Sequence, residues 1–257
     1  MHTVVIIGLG QLGRIFACGL LRSGCSIVPV NRGDEMQQVA ILHAEPHCVL
    51  VTVAEADLQA VLTALPASWR DRLVLVQNEL LPRDWEAHSI HKPTVASVWF
   101  EKKKGSDCKP LIPTPIHGPK AQLICAALSA LEIPARSVET PDQLLYELVR
   151  KNVYILTTNI AGLMTGGTVG DLWHEHRALA TAVAHEVMDI QDWLTDRRHD
   201  RVKLLDGMLE AFAADPKHAC RGRSAPDRLQ RNLDFANTAR LAVPKLRAIA
   251  AEVFTAI

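Results

Sequence analysis

None of the six cysteines in this 257-residue chain (Cys18, Cys25, Cys48, Cys108, Cys125, Cys220) stands in a C-x-x-C pair. That spacing argues against a zinc ribbon and against a dithiol redox motif, and the thiols read as reduced, mostly buried small side chains. No excess of one charge exists either: 28 Lys plus Arg face 28 Asp plus Glu, so no net field gathers nucleic acid or an anionic membrane. Recognition has to be local. Long apolar runs are also missing, because stretches such as 49–65 are interrupted by acids within the roughly 18 residues a membrane span needs. The first residues have no basic segment leading into an apolar core and a cleavage site, so a cytoplasmic protein is expected. With 14 Gly, 14 Pro, 48% hydrophobic and 22% charged residues, the composition excludes disorder, collagen and coiled coil as global descriptions. No internal repeat and no low-complexity tract occurs.

At roughly 150 residues per domain, one large or two modest domains are expected. The first half alternates two textures. Thr3 to Ile7 is a β-branched run, followed by Leu12, Ile15, Phe16, Gly19 and Leu20 at the spacing of an amphipathic helix that Gly24 stops. Further short apolar runs cover 26–30, 48–53, 73–76 and 94–99, with a helical connector over 57–65. Apolar runs bounded by turns suit strands buried on both faces, hence a mostly parallel sheet covered by helices. After Leu111 a Pro-rich stretch (Pro110, Pro113, Pro115, Pro119) gives way to helical periodicity for nearly all remaining residues. Thr140-Pro141-Asp142-Gln143 supplies an N-cap Thr, a Pro at the first helical position and a Gln at the third. A long helix should follow, ending before Thr165-Gly166-Gly167. Thr168 to Asp171 can cap the next helix, and Pro226 and Asp227 stand near the start of a last one. The expected fold is a Rossmann-type α/β domain over 1–139 followed by an all-α substrate or dimerisation domain over 140–257.

Gly8-Leu9-Gly10-Gln11-Leu12-Gly13 is a G-x-G-x-x-G motif. Alone it is weak, but it follows a β-branched run and opens an amphipathic helix, the context the dinucleotide fingerprint requires. Gly8 permits the tight turn, Gly10 admits a pyrophosphate close to the backbone, and Gly13 lets helix and strand approach. The helix N-terminus adds N–H groups and partial positive charge for phosphates. At the end of the second strand, where an NAD site usually places a carboxylate for the ribose 2′-hydroxyl, stand Asn31 and Arg32. A guanidinium suits a 2′-phosphate, so NADP (NADPH) is the favoured cofactor. Asp34 and Glu35 lie slightly downstream and are the competing explanation.

Asn78, after Gln77, follows the fourth strand at the sheet edge where ligands bind; it can serve a nicotinamide amide or a substrate oxygen, or be a turn asparagine. On the capped helix, Lys151, Ile155 and Asn159 are four apart and span about 80° of one face over about 12 Å. A lysine can protonate a carbonyl oxygen that gains charge during hydride transfer, provided its own pKa is brought down. Without that context Lys151 reads as a solvated helix lysine.

The segment Glu147 to Asn159, followed by Val169-Gly170-Asp171-Leu172, resembles the second-domain signature of the ketopantoate reductase (2-dehydropantoate 2-reductase) family. Gly8 to Gly13, Arg32 and Gln77-Asn78 are similar to its first-domain motifs in the same order, and Leu241-Ala-Val-Pro244 to a stretch near its C-terminus. The resemblance implies a two-domain NADPH-dependent 2-oxo acid reductase. Lys151 would then be the general acid, Asn159 a substrate ligand, and Asn78 would stand between nicotinamide and substrate. Three substrate-side groups depart from the family. Its lysine after the third strand falls at Val53-Ala54-Glu55, its middle helical asparagine is Ile155, and its C-terminal glutamate meets Ser224-Ala225-Pro226, with Asp227 the nearest carboxylate. A pocket with Ile155 in place of an amide is expected to prefer an apolar tail to the hydroxyl of ketopantoate. For the substrate carboxylate, Lys151, Arg150 and Arg223 are the available cations. The altered positions also allow an NADP-binding sensor without turnover, and an imine reductase has a similar domain order.

Other signals are discounted. His174 and His176, two apart on a helix, point about 200° from each other, and His88 and His91 lack a third ligand, so no metal is expected. Lys102-Lys103-Lys104 reads as a solvated edge, Trp173 and Trp193 as core or interface. Cys220 beside Arg221 and Arg223 reads as an ordinary buried cysteine rather than a low-pKa thiol. The apolar faces of the C-terminal helices are compatible with a homodimer.

Overall fold

The computed structural model describes residues 2–102, 105 and 107–255. Two compact units make up the chain, one ending at Leu148 and one beginning at Val149.

In the first unit, β1 (Thr3–Ile7) carries the β-branched run, with Val4 to Ile7 buried. α1 (Gln11–Arg22) turns Ile15, Phe16 and Leu20 inward, and β2 (Ser26–Val30) follows the turn at Gly24. α2 (Met36–Leu42) leads to β3 (Cys48–Val51), then α3 (Leu58–Ala64), β4 (Leu73–Leu75), α4 (Pro82–Glu86) and β5 (Thr94–Ala96). β6 (Phe100–Glu101) and β7 (Lys109–Pro110) pair as a small antiparallel ribbon. Of the lysine run beside it, Lys103 and Lys104 lie outside the described residues. The unit continues with β8 (Thr114–His117), α5 (Ala121–Ser129) and β9 (Ala135–Ser137).

Seven strands form one sheet in the order β2-β1-β3-β4-β5-β8-β9. Only the β5–β8 pairing is antiparallel. The central strands are almost wholly apolar, β3 and β4 at every position, because each is covered on both faces. Val4, Ile6, Leu50 and Val74 pack with Phe16 and Leu20 of α1 and Ile124 and Leu128 of α5 in one core.

The expectation of helix for nearly all residues after Leu111 is corrected by β8 and β9. Pro115 concealed β8, since a proline argues against an interior strand. It is tolerated here while its carbonyl accepts a hydrogen bond from Ser97 N at 3.0 Å.

α6 (Pro141–Thr165) opens at the expected box: Thr140 Oγ1 accepts from Gln143 N at 3.2 Å, and Gln143 Oε1 accepts from Thr140 N at 3.2 Å. Its first two turns belong to the first unit, where Glu147 pairs with Arg136 and its carbonyl accepts from Ser97 Oγ at 3.3 Å.

The second unit holds the rest of α6 with α7 (Val169–Glu175), α8 (Arg177–Thr195), α9 (Arg201–Ala214), α10 (Ala225–Ala239) and α11 (Pro244–Thr255). α10 begins beside Pro226 as expected but is not the last helix. α11 follows it, and the buried Glu186 of α8 accepts from the first-turn amides Lys245 N (2.7 Å) and Leu246 N (2.8 Å). The capped end thus meets a carboxylate, which the helix dipole favours. The fold is a mostly parallel Rossmann-type sheet followed by a helical region. No helix among the described residues is long and apolar enough to cross a membrane.

Candidate active site

Gly8 stands between β1 and α1 with φ +91°, a conformation that suits glycine. A Cβ on Gly13 would collide with the Gly8 carbonyl and lie 2.6 Å from Thr52 Oγ1. Thr52 itself donates to the carbonyls of Ile7 (3.2 Å) and Gly8, tying the end of β3 to the loop. A Cβ on Gly10, in contrast, would meet nothing within 4 Å. The loop therefore keeps open space over Gly10, the place a pyrophosphate needs, and no side chain caps α1. Gln11, Leu12 and Gly13 form the first turn behind it.

The loop opens on a cleft of about 600 Å³ lined by Gly8, Leu9, Gly10, Asn31, Arg32, Asp34, Thr52, Ala54 and Asp57, among others. β2 ends at Val30, so Asn31 and Arg32 stand directly after the strand. Arg32 donates to Asp57 Oδ2 at 3.2 Å, and its side chain is 91% exposed. An ion pair so wet holds the guanidinium weakly. Of the competing acids, Asp34 lines the cleft, but its Oδ2 accepts from Asn31 N at 2.7 Å. Glu35 precedes α2 and is exposed.

Gln77 at the end of β4 is buried and donates to Val51 O at 2.8 Å, which locks the ends of β3 and β4 together. Asn78 then donates from Nδ2 to Glu55 Oε1 at 2.9 Å. Glu55 opens the short turn after β3, beside the exposed Ala54.

On α6, Lys151 and Asn159 are buried, with Ile155 half-buried between them. Arg150 is not available to a ligand as expected: its Nε donates to Gly207 O at 3.0 Å and its Nη2 to Glu210 Oε2 at 2.9 Å, bracing α9. Arg223 is exposed. The cation that does meet the polar face is Arg228, which sequence reasoning passed over. It is buried on α10, and its Nη1 donates to Asn159 Oδ1 at 2.8 Å. Its one sequence signal is its place one residue after Asp227, on the face of α10 shared with Leu229 and Asn232. Ser224 precedes α10 without a side-chain capping bond, and Asp227 is exposed in its first turn.

The stretch Val169 to Leu172 serves as structure. Thr168 caps α7, and its backbone amide and hydroxyl hold the Asp171 carboxyl below the usual range. Trp173 packs edge-on against Phe212 and Trp193 beside Phe235. The cysteines are all free; Cys25, Cys48 and Cys220 are buried, Cys108 and Cys125 half-buried, and Cys18 is exposed, so the expectation of mostly buried thiols holds for half of them. Burial, with Asp171 nearby, pushes the Cys220 thiol up to about 11, which suits the ordinary-cysteine reading.

No known protein-family profile matches the chain, and no curated protein is similar to it in sequence. Solved structures are similar in fold. A PanE/ApbA family ketopantoate reductase from Ralstonia eutropha JMP134 superposes with a TM-score of 0.70 at 14% identity, covering 98% of this chain and 97% of that one. A dimeric ketopantoate reductase from Staphylococcus aureus gives 0.65 at 15% identity, with 98% of each chain covered. D-mandelate dehydrogenase in complex with NADH gives 0.68 at 12% identity, again over 98% of each chain. The fold recognised in the sequence, that of the ketopantoate reductases, is thus present over almost the whole chain at 12–15% identity.

Proposed function

We propose that this protein reduces a small 2-oxo acid with a nicotinamide dinucleotide, NADPH in preference to NADH, in the cytoplasm. The observation that carries the reading is one chain joining a G-x-G-x-x-G turn, open over Gly10, to a capped helix with buried Lys151 and Asn159 on one face. Enzymes with the same fold are named for 2-oxo and 2-hydroxy acid chemistry, and one of them holds NADH. The S. aureus enzyme is a dimer, which supports a homodimer here.

When bound, the nicotinamide supplies a hydride to the carbonyl carbon. Lys151 gives a proton from Nζ to the carbonyl oxygen, so a 2-hydroxy acid leaves. Asn159 binds the substrate, and Asn78 orients the nicotinamide amide or a substrate oxygen. Gly8 to Gly13 and the α1 N-terminus would hold the pyrophosphate, and Asn31 and Arg32 would hold the adenine ribose. A panel of 2-oxo acids mixed with NADPH, followed by loss of its absorbance, tests the reading; turnover of none of them overturns it. A second reading, an NADP sensor without turnover, is favoured by Ala54-Glu55, Ile155 and Ser224-Ala225-Pro226 at three altered positions, and the same panel separates the two. Cyclic imines added to it test imine reduction.

Cofactor choice follows from Arg32, which gains a charge-assisted pair only with a 2′-phosphate, on the order of 1.5–3 kcal/mol. Titration calorimetry is expected to show tighter binding of NADPH than NADH, and a smaller preference in Arg32→Ala. Equal affinities in the parent protein would refute the assignment.

Ketopantoate is expected to be a poor substrate. A site that demands a hydroxyl presents buried polar partners for it, and Ile155 offers a hydrocarbon where a relative would offer an amide. Branched or aromatic 2-oxo acids should exceed ketopantoate in kcat/KM, and Ile155→Asn should move the ratio back. Ketopantoate ranking first in the panel would show that another side chain meets its hydroxyl.

A further inference from the structure

An asparagine amide is close to symmetric in shape, so by itself it can present either its oxygen or its NH2 to a ligand by turning over. Asn78 in the first unit and Asn159 in the second each have a charged neighbour that removes this freedom. A guanidinium only donates hydrogen bonds and a carboxylate only accepts them. Arg228 Nη1 lies 2.8 Å from Asn159 Oδ1, with both side chains buried. Turning the Asn159 amide over would set NH2 against guanidinium, donor against donor. Nδ2 has two hydrogens, and Thr158 Oγ1 takes one at 3.4 Å. At Asn78 the arrangement is inverted: Nδ2 donates to Glu55 Oε1 at 2.9 Å, which turns Oδ1 the other way.

We infer that Arg228 and Glu55 are positioning residues that set the two amides in opposite senses, each within its own unit, so that Asn159 presents a donor and Asn78 presents an acceptor. Resting on the 2-oxo acid reading above, this narrows the ligand chemistry. Asn159 selects an oxygen that only accepts, a carboxylate or ketone, and Asn78 selects an N–H or O–H, as a carboxamide or hydroxyl provides. Both positioning residues coincide with departures from the related reductases, Glu55 in the segment where a lysine is expected and Arg228 just beyond the missing glutamate.

The same chemical change at the two asparagines tests the inference, because it should act with opposite signs. Asn159→Asp keeps an acceptor towards Arg228 and adds a charge attracted to it, so its melting temperature near neutral pH should equal or exceed that of the parent protein. Asn78→Asp sets one carboxylate against another and should lower it by about 2–4 °C. That deficit should fade at acidic pH, where the introduced carboxyl, once protonated, can donate to Glu55. Calorimetric titration of oxamate into the NADPH-loaded protein supplies the ligand arm: Asn159→Asp should weaken oxamate at least tenfold, and Arg228→Met about tenfold, with Arg228→Lys recovering most of it because a donor to Oδ1 remains. The inference is overturned if Asn159→Asp is the less stable of the two aspartates, or if Asn78→Asp melts at or above the parent temperature, or if folded Arg228→Met binds oxamate as tightly as the parent. Failure of the parent protein to bind oxamate would instead sink the 2-oxo acid reading, and the melting comparison would still decide the amide polarity.

Discussion

Lys151→Ala is expected to lower kcat by about 10²–10⁴ on the best 2-oxo acid of the panel, the usual contribution of a positioned general acid, while NADPH affinity stays within a few-fold of the parent value. The two readouts separate because the proposed cofactor contacts lie on the loop of residues 8–13 and at Arg32, whereas Lys151 is on α6. The residue is 8% exposed, an unusual place for a lysine whose only service is solubility. Its loss leaves the carbonyl oxygen to collect a proton from water as charge develops, so the chemical step suffers more than substrate binding. Single-turnover kinetics locate the effect: the hydride step itself should slow. Full activity in the alanine variant would remove Lys151 from the mechanism and return it to a structural helix lysine.

Gly13→Ala is expected to weaken NADPH by about a hundredfold or more and to lower the melting temperature as well. The added Cβ would run into the Gly8 carbonyl and the Thr52 hydroxyl, and neither can swing away, because Thr52 is bonded to the carbonyls of Ile7 and Gly8. Overpacking of this kind costs roughly 1–3 kcal/mol. Relief requires α1 to move off the loop, which carries its N-terminal amides away from the pyrophosphate; about two decades of affinity correspond to roughly 2.8 kcal/mol, the scale of one or two charge-assisted hydrogen bonds. Gly10→Ala is the informative control. Its Cβ would meet no protein atom, so the fold should keep its melting temperature while NADPH binding falls, since the methyl group enters the space held for phosphate. Parent-like affinity in both variants would mean that the loop does not hold a dinucleotide.

The sequence by itself determined those features whose causes are local. The strands β1 to β5 were readable within a few residues, because the inner strands, covered on both faces, are nearly all apolar and the edge strand β2 is a short β-branched run bounded by a Gly turn. The glycine loop was readable because strand, turn and helix follow one another directly. Both N-caps, Thr140 with Gln143 and Thr168 with Asp171, were readable because the bonded partners are three residues apart. The tertiary structure alone decided the rest. β8 was hidden by Pro115, whose place in the sheet depends on β5 and β9 running beside it. Arg150 looked like a spare cation until α9 supplied Gly207 O and Glu210. Arg228 drew no notice in the sequence, yet it meets an asparagine 69 residues away, and Asn78 meets a glutamate 23 residues before it. Helical periodicity tells which residues share a face but not which neighbour that face will touch, and the sense in which an amide is turned is set by that neighbour's charge.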